Sequence, residues 1–276
     1  MPELPEVETI KNELAPLVRG RRITGITLGW EGIVKKPPLA EFCARLTGQV
    51  ITGLRRRGKY LIFSLESGQV LVIHLKMTGS LLVSHASDEP SKYIRAVLHL
   101  DNGGEIRFRD PRKFGAMWLV ADAESLVGKL GPEPLEEDFT AQVLAERLVK
   151  RKAPIKPLLL DQNFIAGIGN MYADEALYDA KIHPLRPASS LSQEEITRLH
   201  KAIYEVLRAA IGNKGASVEN YFRPGGELGT AHFEFRVAHG LGGKLCPQCG
   251  TPIERISVRN RGTYFCPKCQ PNSSGI

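Results

Sequence analysis

Apolar residues at Val7, Ile10, Leu14 and Leu17 recur at the spacing of one helix face, and Pro5 suits the first turn of that helix. From about Ile23 to Val120 the pattern shortens to β-rich runs such as Tyr60-Leu61-Ile62-Phe63, Val70-Leu71-Val72-Ile73 and Val97-Leu98-His99-Leu100, separated by Gly, Asn and Asp turns. This half predicts an antiparallel β-sandwich or barrel flanked by helices, with the polar stretch Ser84 to Lys92 as a loop. Leu130-Gly131-Pro132-Glu133-Pro134-Leu135 interrupts the pattern, which then turns helical to about Ile211. Gly and Pro return from Gly212 to Gly229, and a short β-type region follows. The expected organisation is α+β and multidomain: a sheet domain over 1–130, a helical domain over 131–235, a cysteine-bearing module over 236–270 and a tail over 271–276.

Composition narrows the partners. The chain has 276 residues, 42% of them hydrophobic, so a folded core is expected. A formal net charge of +7 favours polyanions, since each phosphate contacted by Lys or Arg releases condensed counterions. Charge alone suits equally a basic enzyme with no nucleic-acid partner. No run of about 18 apolar residues could span a bilayer, and the start of the chain lacks a basic-then-apolar signal, so a soluble, intracellular protein is expected.

Four of the five cysteines form Cys246-Pro247-Gln248-Cys249 and Cys266-Pro267-Lys268-Cys269, with sixteen residues, 250 to 265, between the pairs. Two residues between cysteines let both thiolates of a turn reach one tetrahedral ion, and Gly250 suits that turn. Four protein ligands leave no open position, so one structural zinc is expected; two disulfides or unligated thiols are the alternative. The remaining Cys43 lies in a segment that reads as helix. Between the pairs, Arg255, Arg259 and Arg261 lie in a hairpin-sized segment, either gripping phosphates or forming a solvated rim.

The start of the chain, Met1-Pro2-Glu3-Leu4-Pro5-Glu6, places a proline behind the initiator and two carboxylates within four residues of it. Removal of Met1 would leave Pro2 with a free secondary amine of reference pKa about 8, lowered further by the positive end of the helix that follows. Such an amine attacks a sugar C1′ to give an iminium ion that is cationic without a proton. Glu3 is placed to protonate the opening ring oxygen, and Glu6, one turn along, to orient Glu3 or the amine. Simple complementation of the helix dipole explains the same acids.

These residues resemble a known family. Pro2-Glu3-Leu4-Pro5-Glu6-Val7-Glu8-Thr9 is similar to the N-terminus of the formamidopyrimidine-DNA glycosylases. So are Arg56-Arg57-Gly58-Lys59-Tyr60, His74-Leu75-Lys76-Met77-Thr78-Gly79, Asp110-Pro111-Arg112-Lys113-Phe114-Gly115, Leu130 to Leu135, Gly167-Ile168-Gly169-Asn170 and the cysteine module. A sister family acting on oxidised pyrimidines usually has Gly where Leu4 stands.

The resemblance implies a helix-two-turns-helix element and a four-cysteine zinc finger in the C-terminal part. It implies excision of 8-oxoguanine and formamidopyrimidines, followed by β,δ-elimination, on double-stranded DNA carrying an oxidised base or abasic site, by a monomer working in the cytoplasm at the nucleoid. Pro2 would be the Schiff-base nucleophile, Glu3 the acid, Lys59, placed on a strand, the β-elimination residue and Arg261 the δ-elimination residue. Met77, Arg112 and Phe114 resemble the wedge that fills the hole left by a flipped nucleotide. His74 is expected among the DNA-binding residues, and Lys152 and Asn170 at phosphates, with Asn170 capping a helix. Tyr93 stands where the family often has His, and can donate to a phosphate in its place. The glycine-rich segment from Gly215 to Ala231 is expected to close over the flipped base.

Overall fold

The structure, a computed structural model, describes residues 1–85, 87–88, 91–218 and 220–272. The chain divides into two compact units, one comprising 1–129 and 211–232, the other 130–210 and 233–276. Sequence composition assigns 211–235 to the helical part. In the folded chain 211–232 packs with the N-terminal half instead, for reasons that lie in particular side chains given below.

The first unit opens with α1 (Leu4–Val18), which has Pro5 in its first turn. Its buried stripe is Val7, Ile10, Leu14 and Val18, whereas Leu17 is exposed. A helix advances 3.6 residues per turn, so Val18, not Leu17, follows Leu14 on the inner face. The strands β1 (Ile23–Leu28), β2 (Val34–Lys36), β3 (Ile51–Arg57), β4 (Tyr60–Leu65), β5 (Val70–His74), β6 (Ser80–His85), β7 (Ile94–Leu100), β8 (Gly104–Arg109) and β9 (Ala116–Val120) form two sheets. Their orders are β1-β7-β8-β6 and β2-β9-β5-β4-β3. Pairing is antiparallel except between β2 and β9, which run parallel. Inward residues of both sheets, among them Leu98, Phe108, Phe63 and Ile73, share one core with α1 and with Phe42 and Leu46 of α2 (Leu39–Leu46). The sandwich and the helix carrying Cys43 are as expected. Of the predicted loop, Ser84 and His85 belong to β6, and residues 86, 89 and 90 lie outside the described residues. The short helix α3 (Glu124–Val127) ends this stretch.

Three side-chain interactions explain why 211–232 returns to this unit. Tyr221 is buried in the sandwich core, Arg223 grips Glu13 of α1 with Nε and Nη2 at 2.9 and 2.7 Å, and the Ala216 amide donates to Glu6 at 2.8 Å. Backbone pairing adds a fourth, with Val83 of edge strand β6 donating to the Pro224 carbonyl at 2.8 Å.

The second unit contains α4 (Ala141–Leu148), α5 (Ile155–Leu160), α6 (Asn170–Asp179) and most of α7 (Gln193–Gly212). Thr140 caps α4, its hydroxyl accepting the Val143 amide at 3.2 Å. Between α5 and α6 the chain makes tight turns held by Gln162, which accepts the Gly167 amide and donates to the Ile168 carbonyl. This is the helix-two-turns-helix. The hairpin β10 (Glu254–Val258) and β11 (Arg261–Phe265) turns through Arg259 and Asn260, both at positive φ, as a type I′ turn requires. Residues 273–276 of the expected tail lie outside the described residues.

Candidate catalytic and DNA-binding site

At the start of α1 two carboxylates are locked in place. Glu3 is the N-cap, with extended backbone, and forms a capping box with Glu6. The Glu3 amide donates to Glu6 Oε2 at 2.7 Å, while Glu6 Oε1 accepts the Ala216 amide at 2.8 Å. Both acids are buried, and so is Pro2 directly ahead of them. The Glu6 carboxylate thus joins the first helix to the segment 211–232. Burial, with the Glu6 charge, also pushes the nearby Tyr221 phenol up from its ordinary value.

Lys59 lies in the two-residue turn Gly58-Lys59 between β3 and β4, not on a strand as the resemblance implied. Gly58 sits at φ 54°, which glycine adopts without strain and which makes this turn tight. Arg56 steadies it, with Nη1 on the Gly58 carbonyl at 3.0 Å and Nε on Glu8 of α1 at 2.7 Å. Although Lys59 is only 6% exposed, its charge is felt at His74. Burial, followed by the charges of Lys76 and Lys59, drives His74 down to about 3. Its Nδ1 accepts the Lys76 amide at 2.8 Å, so the ring is neutral with its proton on Nε2, and that proton is available to an oxygen acceptor.

Asp110 organises the next loop. It is fully buried, and it accepts the Arg112 amide on Oδ1 and the Phe114 and Gly115 amides on Oδ2, the last two both at 2.7 Å. The Thr78 hydroxyl donates to Oδ1. One carboxylate therefore fixes 111–115 and ties it to the turn carrying Met77. Met77 and Phe114 are exposed at 39% and 47%, unusual for apolar residues that a core would hold, and the Arg112 guanidinium lies 4.9 Å from the Phe114 ring. Gly115 allows this geometry, since a Cβ there would meet Phe108 at 2.4 Å. Sequence reasoning gives Asp110 no role of its own. An Asp preceding Pro at a turn is the local signal that could have found it.

Tyr93 is half-buried at the entry to β7, its ring flanked by Lys92, Arg95 and Arg109.

In the second unit Asn170 does not cap α6. Gly169 is the N-cap, and the Asn170 side chain donates to the Gly262 carbonyl at 2.9 Å, because the finger hairpin lies within its reach. Lys156 of α5, an ordinary helix lysine by its sequence, is wholly buried. Its Nζ lies 2.6 Å from Asp174 of α6 and donates to the Thr263 hydroxyl at 2.7 Å. Burial pushes Asp174 up to about 7 against the pull of the ammonium. Asn170, Lys156 and Asp174 thus hold Gly262, Thr263 and Tyr264, the residues after exposed Arg261. Lys152 is exposed just ahead of α5.

The four finger sulfurs lie within 4.8 Å of one another, with Cys246 to Cys269 at 3.8 Å and Cys249 to Cys266 at 3.4 Å. Tetrahedral zinc with bonds of about 2.3 Å spaces its sulfurs by about 3.8 Å, so the cluster fits the ion. Buried Tyr178 of α6 meets Cys246 Sγ at 3.2 Å, which seats the finger on the helices.

Three family models cover most of the chain: the formamidopyrimidine-DNA glycosylase N-terminal domain over 1–117, its H2TH domain over 130–221, and the zinc finger found in FPG and IleRS over 243–272. The chain belongs to the formamidopyrimidine-DNA glycosylase family. It is 48% identical to the formamidopyrimidine-DNA glycosylase of Chloroflexus aurantiacus over 98% of both chains, and 45% identical to that of Symbiobacterium thermophilum over all of this chain and 91% of the relative. The Lactococcus lactis Fpg solved in complex with an abasic-site-containing DNA superposes with a TM-score of 0.91 at 37% identity, covering 98% of this chain and 100% of that one. A formamidopyrimidine-DNA glycosylase is a base-excision-repair enzyme for oxidised purines that also has lyase activity at abasic sites, and its finger holds one structural zinc. Among the described residues no helix is long and apolar enough to cross a membrane.

Proposed function

We propose that Pro2, freed of Met1, attacks C1′ of a flipped oxidised purine nucleotide in double-stranded DNA. The N–C1′ bond forms as the glycosidic bond breaks, the departing base taking up a proton. Glu3 then protonates the ring oxygen as the sugar opens, leaving an iminium ion between Pro2 and C1′. That cation acidifies C2′, Lys59 assists loss of the C2′ proton with departure of the 3′ phosphate, and Arg261 assists the second elimination at the 5′ phosphate. Met77, Arg112 and Phe114 fill the vacated stack, while His74, Tyr93, Lys152 and Asn170 serve at the backbone. In this reading 1–129 with 211–232 is the catalytic module, 130–210 the helical DNA-binding module and 236–270 the finger, and the enzyme works at the nucleoid. The segment 215–231 closes over the flipped base. The lesions are 8-oxoguanine and the two in the Lactococcus lactis complexes, an abasic site and a Fapy-dG.

What carries the reading is the buried Glu3–Glu6 capping box directly behind Pro2, which holds a carboxyl next to the amine in a site where two buried acids are costly. Borohydride should trap a covalent complex between the Met1-free enzyme and 8-oxoguanine DNA, and Pro2→Gly, with its melting temperature checked, should lose most of it. Equal trapping by the folded variant would overturn the proposal, as would no trapping at all by enzyme whose N-terminal proline is verified by mass spectrometry.

A further inference from the structure

On the face of β8 turned away from the core, two arginines two residues apart are treated differently. Arg107 is fully engaged, with Nε on Glu105 at 2.7 Å and Nη2 on the carbonyls of His85 and Asp88 at 3.0 Å each. Arg109 is clamped between two aromatic rings, its guanidinium carbon 5.3 Å from the centroid of Tyr93 and 5.1 Å from that of Phe222. Its Nη1 is buried and has no hydrogen-bond partner among the described residues. Lys92 and Arg95 stand 5.0 and 6.0 Å from the same Tyr93 centroid, and Arg95 spends its donors on the carbonyls of Asp110 and Pro111. Among the described residues no carboxylate pairs with Lys92, Arg95 or Arg109.

A planar cation held by stacking, with a dry unmet N–H and two further cations alongside, calls for an anion. A neutral base carbonyl would satisfy the N–H and leave the charge uncompensated. We propose that Arg109, held between Tyr93 and Phe222, is a phosphodiester-binding site, its Nη1 donating to a non-bridging phosphate oxygen, with Lys92 adding charge and Tyr93 serving as the stacking platform. The residue after Arg109 is Asp110, which anchors the loop of Arg112 and Phe114, so a phosphate held here is fixed in register with that loop. Phe222 lies on the segment that Glu6 tethers through Ala216. The site rests on the chain's binding to DNA.

The test is the salt dependence of affinity for a duplex carrying a tetrahydrofuran abasic analogue, read by fluorescence anisotropy. Arg109→Gln should weaken binding about tenfold and reduce the slope of log K against log salt by about 0.9, the contribution of one phosphate contact. A single methylphosphonate along the strand should reproduce the loss in the wild type and add nothing in the variant. Melting temperatures are recorded alongside, and Arg109→Met, which keeps an unbranched stem between the rings, replaces the glutamine if that variant does not fold. An unchanged slope overturns the proposal. So does additivity of Arg109→Gln with the methylphosphonate at every position along the strand. Failure of the wild type to bind the duplex at all would instead overturn the DNA-binding reading.

Discussion

Asp110 in the first unit and Asp174 in the second are both buried aspartates beside functional residues, yet they are satisfied in opposite ways. Asp110 receives three backbone amides and a hydroxyl from its own loop and from Thr78. Asp174 faces a buried ammonium, with one amide from Tyr264. Amide donors fix the loop that supplies them, which suits a segment presenting Arg112 and Phe114 at the surface. A cation joins elements far apart in sequence, here α5, α6 and the finger hairpin, which suits the holding of Arg261. A buried ion pair also carries a desolvation penalty that amide donors largely escape, and the raised pKa of Asp174 reflects it.

The largest effect separates the two units. Removing zinc with a chelator should release the finger and with it the far end of the Lys156 clamp, since structural zinc contributes about 10 kcal/mol or more to such modules. Amide hydrogen exchange should then rise across 243–272 and leave 105–120 protected. Equal loss in both regions would break the comparison.

Next in size, Asp110→Ala strands three buried amides and a hydroxyl. At about 1–3 kcal/mol for each unmet group, with partial relaxation, a loss of about 3–5 kcal/mol in denaturant unfolding is expected. A loss below about 1 kcal/mol would mean the loop is held otherwise.

The smallest effect is the most diagnostic. Lys156→Met leaves Asp174 buried without its cation and should cost about 3 kcal/mol at pH 8. The folded-state pKa of this carboxyl lies above its unfolded value of 3.8, so the folded state binds more protons and stability falls as pH rises between the two. The variant should therefore approach the wild type as pH drops toward 5, read from melting temperature against pH. A gap of constant size from pH 8 to pH 5 would overturn this account of Asp174.

The sequence made some of this legible and hid the rest for physical reasons. The cysteine pairs, the hairpin-sized segment between them and the first helix depend on neighbours in sequence, and they read correctly apart from the slip from Val18 to Leu17. Three features depend on partners tens of residues or more away: the Lys156–Asp174 clamp, the Asn170 bond to Gly262 and the return of 211–232 through Tyr221 and Arg223. No periodicity reports such a partner. A lysine in the apolar run Ile155-Lys156-Pro157-Leu158-Leu159-Leu160 was the one hint available.

The capping box leaves the front of this chain with no slack. Glu6 holds the Glu3 amide and the Ala216 amide at once, and α1 begins one residue after Glu3, so a single residue inserted between Pro2 and Leu4 would shift the proline out of place without any later part of the molecule having moved. An engineered tag placed ahead of Pro2 would therefore have to be removed completely before the proline could act.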